Sequence, residues 1–133
     1  MRGWNMKIEH IGYAVRSIEK ALKEFEKFGY EKITEVIVDE IQRVKICFIQ
    51  KDGVKIELIE PIDEQSPING ILKKVGPTAY HVCYTVENFE ERVSKLEKEY
   101  ITLVKPVKAS AFNGKKIAFF YSGEIGVFEI VEF

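Results

Sequence analysis

Apolar residues recur with a helical period in two stretches of the chain, and Glu and Lys lie on the opposite side of each predicted helix. The first apolar face has spacings of four, three and three residues and consists of Ile18, Leu22, Phe25 and Phe28. The second face consists of Phe89, Val93 and Leu96. Ser17 and Asn88 stand immediately before these stretches, and each can accept a hydrogen bond from a free backbone N–H group. The pattern predicts two amphipathic helices with capped beginnings.

Short apolar runs rich in Val, Ile and Phe predict strands, one before each helix and three after it. The eight predicted strands are 8–15, 33–38, 44–50, 54–59, 80–86, 102–107, 116–121 and 126–131. Lys51-Asp52-Gly53 is a hairpin signal, and Ser122-Gly123 stands at the corresponding turn of the second half. We therefore predict an α+β fold built from two tandem βαβββ modules, with eight strands and the helices packed outside.

The two halves align when the chain is shifted against itself by 71 positions, so that 10–30 falls on 81–101. The identical pairs are His10/His81, Tyr13/Tyr84, Val15/Val86, Glu19/Glu90, Glu26/Glu97 and Lys27/Lys98. The same shift aligns the segments KICFI and KIAFF, and one deletion then raises it to 72 and aligns IELIE with FEIVE. A match that is sustained through three segments predicts an internal duplication.

A length of 133 residues fits one globular domain, predicted over 7–133. Module one is expected to cover 7–62 and module two 78–133. The connector between them, 63–77, is expected to contain a short helix with Ser66 as its cap and Pro67 at its first position.

Composition excludes several classes of partner. The formal net charge of −1 offers no surplus of Lys and Arg for nucleic acid or an anionic membrane. Cys47 and Cys83 both lie in apolar runs and are expected to be buried free thiols. The segment MRGWNM has no features of a secretory leader, which favours a cytoplasmic protein. Met6 is a possible natural start, with 2–5 as a poorly ordered extension.

The chain has only two histidines, His10 and His81, and they occupy equivalent positions in the two modules. Each module also has a glutamate within an otherwise apolar last strand, Glu57 or Glu129. A buried carboxylate is costly unless a partner compensates its charge, and pseudo-twofold symmetry would bring the four residues together. Two imidazoles and two carboxylates suit Ni²⁺, Co²⁺, Zn²⁺, Fe²⁺ or Mn²⁺ better than Ca²⁺. The repeat therefore predicts one divalent metal ion held by these four residues.

A purely structural interpretation of the same residues stays open. A single histidine on a strand is more often a structural residue than a metal ligand. Glu57 has possible partners across its hairpin in Lys45 and Lys55. Glu60 and Glu132 are candidates for ordinary surface charges.

From Lys7 to Phe133 the sequence resembles the vicinal oxygen chelate superfamily, which includes glyoxalases, bleomycin resistance proteins and dioxygenases. Within it, the segments HIGYAV, IELIEP, SPI, YHVCYTV, GKKIAF and FEIVEF are similar to those of methylmalonyl-CoA epimerases and glyoxalase I-like proteins. The resemblance implies a cupped mixed sheet around a metal ion bound by His10, Glu57, His81 and Glu129. It also implies a homodimer and a small-molecule substrate.

The resemblance further implies an enzyme that moves a proton next to a carbonyl group, with Glu57 or Glu129 as the catalytic base. We expect an isomerase of the methylmalonyl-CoA epimerase type. The alternatives are a glyoxalase I-like lactoylglutathione lyase acting on a hemithioacetal, and a non-catalytic protein that binds drug-like molecules. Three features depart from the epimerase pattern: Tyr121-Ser122 replaces a His-Pro pair, Ile125-Gly126 replaces Gly-Gly, and Ile46 is apolar where some epimerases have an acidic residue.

Overall fold

The computed structural model describes residues 5–133, so most of the predicted N-terminal extension, 2–4, lies outside the described residues. The described chain divides into two compact units, which we call the first unit (10–80) and the second unit (81–133 together with 5–9). Both combine helices with mixed β-structure, and the predicted α+β class is confirmed. No helix among the described residues is long and apolar enough to cross a membrane.

The first unit follows the βαβββ order except that the strand after its long helix is split into two short strands, and it also contains the connector helix. Its elements are β1 (Lys7–Ala14, of which 10–14 belong to this unit), α1 (Ile18–Lys27), β2 (Glu31–Lys32), β3 (Ile37–Asp39), β4 (Val44–Lys51), β5 (Val54–Pro61) and α2 (Asn69–Lys74). Strand β1 runs parallel to β5, and β5 is antiparallel to β4. Strands β2 and β3 both pair with the outer side of β4, at different points along it.

The second unit has the βαβββ order, with one strand where the first unit has two short ones. They are β6 (Thr78–Val86, of which 81–86 belong to this unit), α3 (Phe89–Glu99), β7 (Ile101–Lys108), a 3-10 turn (Ser110–Phe112), β8 (Lys116–Ser122) and β9 (Gly126–Glu132). Strand β6 runs parallel to β9, β9 is antiparallel to β8, and β8 is antiparallel to β7. Each unit thus places its first strand beside its last.

Helix α1 packs on one face of its sheet. The core beneath it consists of Val15, Ile18, Cys47, Ile49, Ile56 and Leu58. Ser17 caps the helix as predicted, since its hydroxyl oxygen accepts from Lys20 N at 3.2 Å. The prediction for Phe28 is wrong: the helix ends at Lys27 and the Phe28 side chain is 70% exposed. The chain turns at Gly29, whose φ of +93° lies in the left-handed region, so the helical face does not continue.

Helix α3 buries its predicted face, because Phe89, Val93 and Leu96 all lie in the core of the second unit. The predicted cap is wrong. Asn88 does precede the helix, but its φ of +55° and ψ of +57° are left-handed and its side chain makes no capping hydrogen bond. Asparagine tolerates the left-handed conformation better than most residues. Asn88 therefore suits the backbone conformation at this position and does not cap the helix with its side chain.

The predicted strand 33–38 is confirmed only at its end: β2 ends at Lys32, residues 33–36 are not strand, and β3 covers 37–38. Thr34 lies between them. Its hydroxyl oxygen accepts from Phe48 N at 3.1 Å, and its carbonyl oxygen accepts from the Cys47 thiol at 3.3 Å. A side chain therefore takes the place of a backbone partner and interrupts the strand. The other seven predicted strands are confirmed within a few residues, and the described chain has nine strands.

The connector helix begins later than predicted. Its first residue is Asn69 and its N-cap is Ile68, so neither Ser66 nor Pro67 has the predicted role. Asn69 Nδ2 instead donates to the carbonyl oxygens of Asp63 and Ser66, which stabilises the turn that leads into the helix.

Both cysteines are buried and neither forms a disulfide, as predicted. Burial raises the pKa of the Cys47 thiol, which disfavours the thiolate form that a metal ion requires.

Candidate metal centre

The first unit contains a buried histidine–glutamate pair. In the parallel pairing of β1 and β5, Gly12 lies beside Glu57, and His10 precedes Gly12 by two residues on the same face of the strand. His10 Nε2 lies 3.1 Å from Glu57 Oε1, and the two side chains are 0% and 5% exposed. The side chains that carry the predicted chemistry of module one are therefore in direct contact.

The second unit contains the equivalent pair in the equivalent register. In the parallel pairing of β6 and β9, Cys83 lies beside Glu129, and His81 precedes Cys83 by two residues. His81 Nε2 lies 3.0 Å from Glu129 Oε1, and the side chains are 0% and 3% exposed. The same local arrangement is thus built twice, from residues 71 and 72 positions apart.

Each pair is bordered by an aromatic ring on the neighbouring strand. Phe48 is the register partner of Glu57, and its ring packs edge to face with His10 at a centroid distance of 5.6 Å. Phe119 is the register partner of Glu129, and its ring packs in the same way with His81 at 5.1 Å. Neither phenylalanine is among the site residues predicted from the sequence. The signal was present, because the alignment of KICFI with KIAFF superimposes them.

A lysine also lies on the same face of the first unit. The Lys55 ammonium group is 5.1 Å from the centroid of the Phe48 ring, in the range of a cation–π contact. Lys45, the other partner considered for Glu57, pairs with Glu60 at 3.8 Å.

Glu60 and Glu132 hold the scaffold together and are more than the surface charges that the structural interpretation suggested. Glu60 Oε1 accepts from Ile18 N at 2.8 Å, which satisfies a free N–H group at the start of α1. Glu132 Oε1 accepts from Lys116 N at 2.6 Å. Their oxygens are thus used by the backbone, whereas Glu57 and Glu129 face the histidines.

The donor set fits a divalent transition metal. His10, Glu57, His81 and Glu129 are all buried, and each has a ligand atom of a type that Ni²⁺, Co²⁺, Zn²⁺, Fe²⁺ and Mn²⁺ accept. A carboxylate buried in a strand without compensation would cost several kcal/mol, at roughly the scale of breaking a buried ion pair. The contact with an imidazole, or with a cation bound in its place, offsets this cost.

Comparison with known proteins identifies the family of the chain. The chain matches the family described as the Glyoxalase/Bleomycin resistance protein/Dioxygenase superfamily over residues 9–119. It is 34% identical over 114 residues to the uncharacterized protein YqjC of Bacillus subtilis, covering 85% of this chain and 81% of that protein. It is 29% identical over 126 residues to the mitochondrial methylmalonyl-CoA epimerase of Homo sapiens, covering 92% and 71% of the two chains.

The fold has a close counterpart among solved structures. The methylmalonyl-CoA epimerase of Mycobacterium tuberculosis superimposes with a TM-score of 0.85 at 19% identity, covering 99% of this chain and 91% of that one. The architecture is therefore shared although most residues differ. With the family match and the sequence relatives, this confirms the resemblance drawn from the sequence: the chain belongs to the glyoxalase/bleomycin resistance protein/dioxygenase superfamily.

Proposed function

We propose that this protein is a metal-dependent epimerase that exchanges the proton on the carbon between a thioester carbonyl and a carboxylate, with methylmalonyl-CoA as the model substrate. The observation that carries the proposal is the pair of equivalent buried contacts, His10–Glu57 at 3.1 Å and His81–Glu129 at 3.0 Å. The human relative named for this activity shares 29% of the aligned residues and adds support.

The two pairs together would supply two imidazole nitrogens and two carboxylates to one divalent metal ion. Two neutral histidines and two glutamates balance the charge of such an ion, which makes its burial in an apolar surrounding affordable. When bound, the ion would act as a Lewis acid toward the substrate's carbonyl oxygen and make the adjacent C–H group more acidic.

The chain's own carboxylates would move the proton. Glu57 and Glu129 are the candidate bases, because Ile46, at the position where some epimerases have an acidic residue, is apolar and buried at 3% exposure. One carboxylate would remove the proton from one face of the carbon. Delivery of a proton to the opposite face of the resulting enolate, by the same carboxyl group or by the other one, would invert the centre. Phe48 and Phe119 would wall the pairs with apolar surface and limit the access of water.

The first experiment measures the metal content and the epimerase activity of the same preparation. The purified protein should contain close to one equivalent of a divalent transition metal per chain, measured by plasma mass spectrometry. It should also wash deuterium from D₂O into methylmalonyl-CoA, followed by NMR. Incorporation of deuterium without turnover of the hemithioacetal of methylglyoxal and glutathione supports the epimerase. Turnover of the hemithioacetal alone would establish the glyoxalase I-like alternative.

The binding-protein alternative makes the opposite prediction. A protein that sequesters drug-like molecules needs no metal, so His10→Ala would leave its ligand affinity unchanged. We expect this variant to lose both the metal and deuterium exchange while it keeps its fold, as judged by circular dichroism. The homodimer implied by the family resemblance stays a prediction, which size-exclusion chromatography with light scattering tests.

A further inference from the structure

We propose that Thr34 is a positioning residue of the candidate metal centre, because its hydroxyl group holds Phe48 in place against His10. The inference rests on the proposed function in one respect, since it takes the His10–Glu57 pair as half of a metal site. Thr34 acts through Phe48. The Phe48 ring packs edge to face with His10 at a centroid distance of 5.6 Å, and the register partner of Phe48 on β5 is Glu57.

The segment between β2 and β3 binds both backbone groups of Phe48. Ile33 N donates to the Phe48 carbonyl oxygen at 2.8 Å, and Phe48 N donates to the Thr34 hydroxyl oxygen at 3.1 Å. Phe48 is only 4% exposed, and a buried N–H group without a partner costs free energy comparable to a lost hydrogen bond. A side-chain hydroxyl therefore satisfies the N–H group of the residue that borders the His10–Glu57 pair.

Thr34 is itself held from a second direction. Its carbonyl oxygen accepts from the Cys47 thiol at 3.3 Å, and Cys47 lies in the core beneath α1. Cys47 and Phe48 are consecutive on β4, so their side chains leave opposite faces of the strand. Thr34 thus connects the face of the sheet that packs under the helix with the face on which the Phe48 ring meets His10.

The second module holds the equivalent ring in another way. Phe119 has a backbone register partner, Val104, on the continuous strand β7. The residue equivalent to Thr34 at the shift of 71 positions is Lys105, so the hydroxyl group does not recur in the repeat. The position of Phe48 therefore depends on one side chain, whereas that of Phe119 depends on strand pairing. Substitution of Thr34 should act on the ring of module one.

The first test is a double-mutant cycle on the affinity for Co²⁺, measured from the visible spectrum of the ion. Thr34→Val keeps the shape of the side chain and removes the hydroxyl group. We expect it to raise the dissociation constant of Co²⁺ about threefold to fivefold, the size of one typical hydrogen bond. Because Thr34 acts through Phe48, the same substitution in the Phe48→Leu background should add less than about 1.5-fold. An unchanged affinity in Thr34→Val, or an equal increase in both backgrounds, overturns the inference.

Two control variants separate the hydroxyl group from the general effect of changing a threonine near the edge of a sheet. Thr34→Ser keeps the hydroxyl group and should bind Co²⁺ within about twofold of the unsubstituted protein. Thr102 is also a half-buried threonine, but its register partner is Phe120, which lies in the core of the second unit. Thr102→Val should likewise stay within about twofold. If Thr34→Ser binds Co²⁺ as weakly as Thr34→Val, the hydroxyl group is not the cause and the inference is wrong.

NMR spectra of the metal-free protein keep the inference separate from the proposed function. We expect Thr34→Val to shift the imidazole signals of His10 more than those of His81, because a moved Phe48 ring changes the surroundings of the imidazole that it packs against. Thr102→Val should leave both sets of signals in place. Thr34→Ala removes the same hydroxyl group and gives the same measurement if the valine variant does not fold.

The two proposals can fail independently. If the unsubstituted protein shows no deuterium exchange, or binds no Co²⁺, while the His10 signals shift as expected, the epimerase or metal proposal fails and the positioning of His10 by Thr34 stands. Unchanged His10 signals in Thr34→Val overturn the role of Thr34 even if the protein is an epimerase.

Discussion

The two modules are most alike where the candidate chemistry lies and least alike at their outer strands and turns. The His–Glu contacts differ by only 0.1 Å, at 3.1 and 3.0 Å, and both pairs have the same register offset between parallel strands. The outer strands differ much more: β7 is a continuous strand of eight residues, whereas its counterpart is divided into β2 and β3. The outer strands differ between the modules while the histidine–glutamate pairs do not. Comparing the two modules therefore distinguishes the candidate site residues from the residues that only support the fold.

The largest expected effect comes from removing either histidine. If the two pairs act as one centre, His10→Ala and His81→Ala should each lose the bound metal and lower kcat/KM by about a thousandfold or more, since Lewis-acid catalysis contributes several kcal/mol. Cobalt titration and deuterium exchange measure the two effects. A variant that keeps metal and activity while its counterpart loses them would show that the matched contacts are not functionally equivalent.

Substitution of the two glutamates should have unequal effects, whereas substitution of the two histidines should have equal ones. Glu57→Gln and Glu129→Gln both keep a ligand oxygen, but only one of them removes the catalytic base. We expect one variant to lose about a hundredfold or more in kcat, the typical contribution of a general base. The other variant should mainly lower the affinity for the metal ion. Pre-steady-state deuterium exchange at saturating metal separates the two, and equal loss of kcat in both would point to two bases acting on opposite faces.

The aromatic neighbours should have a smaller and paired effect. Phe48→Leu and Phe119→Leu remove an edge-to-face contact with His10 or His81, and such contacts contribute about 0.5–1.5 kcal/mol. We expect each variant to weaken Co²⁺ binding about threefold to tenfold. With only two histidines in the chain, the imidazole signals in NMR spectra report each ring separately. Altered signals of the far histidine alone would contradict the local role of the phenylalanine.

The two histidine–glutamate pairs of the candidate site could be predicted from the sequence because their residue types are unusual in their setting. A histidine and a carboxylate in apolar strands, repeated at a fixed offset, have few explanations other than chemistry. The two phenylalanines escaped notice for the opposite reason. Phe48 and Phe119 lie in strands where an aromatic residue also fits the core, and only the contact with a histidine shows what they touch.

The strands and helices could be predicted where the burial of a periodic apolar face determines them. They could not be predicted where a single residue determines where an element breaks or ends. Strand β5 and helix α3 follow from their apolar periods. The interruption between β2 and β3 depends on the hydrogen bonds of Thr34, which no apolar period encodes. Likewise, Phe28 extends the spacing of α1 in the sequence, but the left-handed turn at Gly29 ends the helix before it can be buried.

The smallest expected effects are at the two residues that precede the long helices, where the two modules differ in how the helix begins. The hydroxyl oxygen of Ser17 accepts a hydrogen bond from Lys20 N, so Ser17→Ala should lower the free energy of unfolding by about 1 kcal/mol. Asn88 makes no capping bond and has a φ of +55°, a conformation that glycine adopts at no steric cost. Asn88→Gly should therefore change stability by less than about 0.5 kcal/mol, and Asn88→Ala should lower it by about 1 kcal/mol because alanine is strained there. Urea unfolding of the three variants measures these differences. Equal losses in Asn88→Gly and Ser17→Ala would mean that the two helix starts are chemically alike after all.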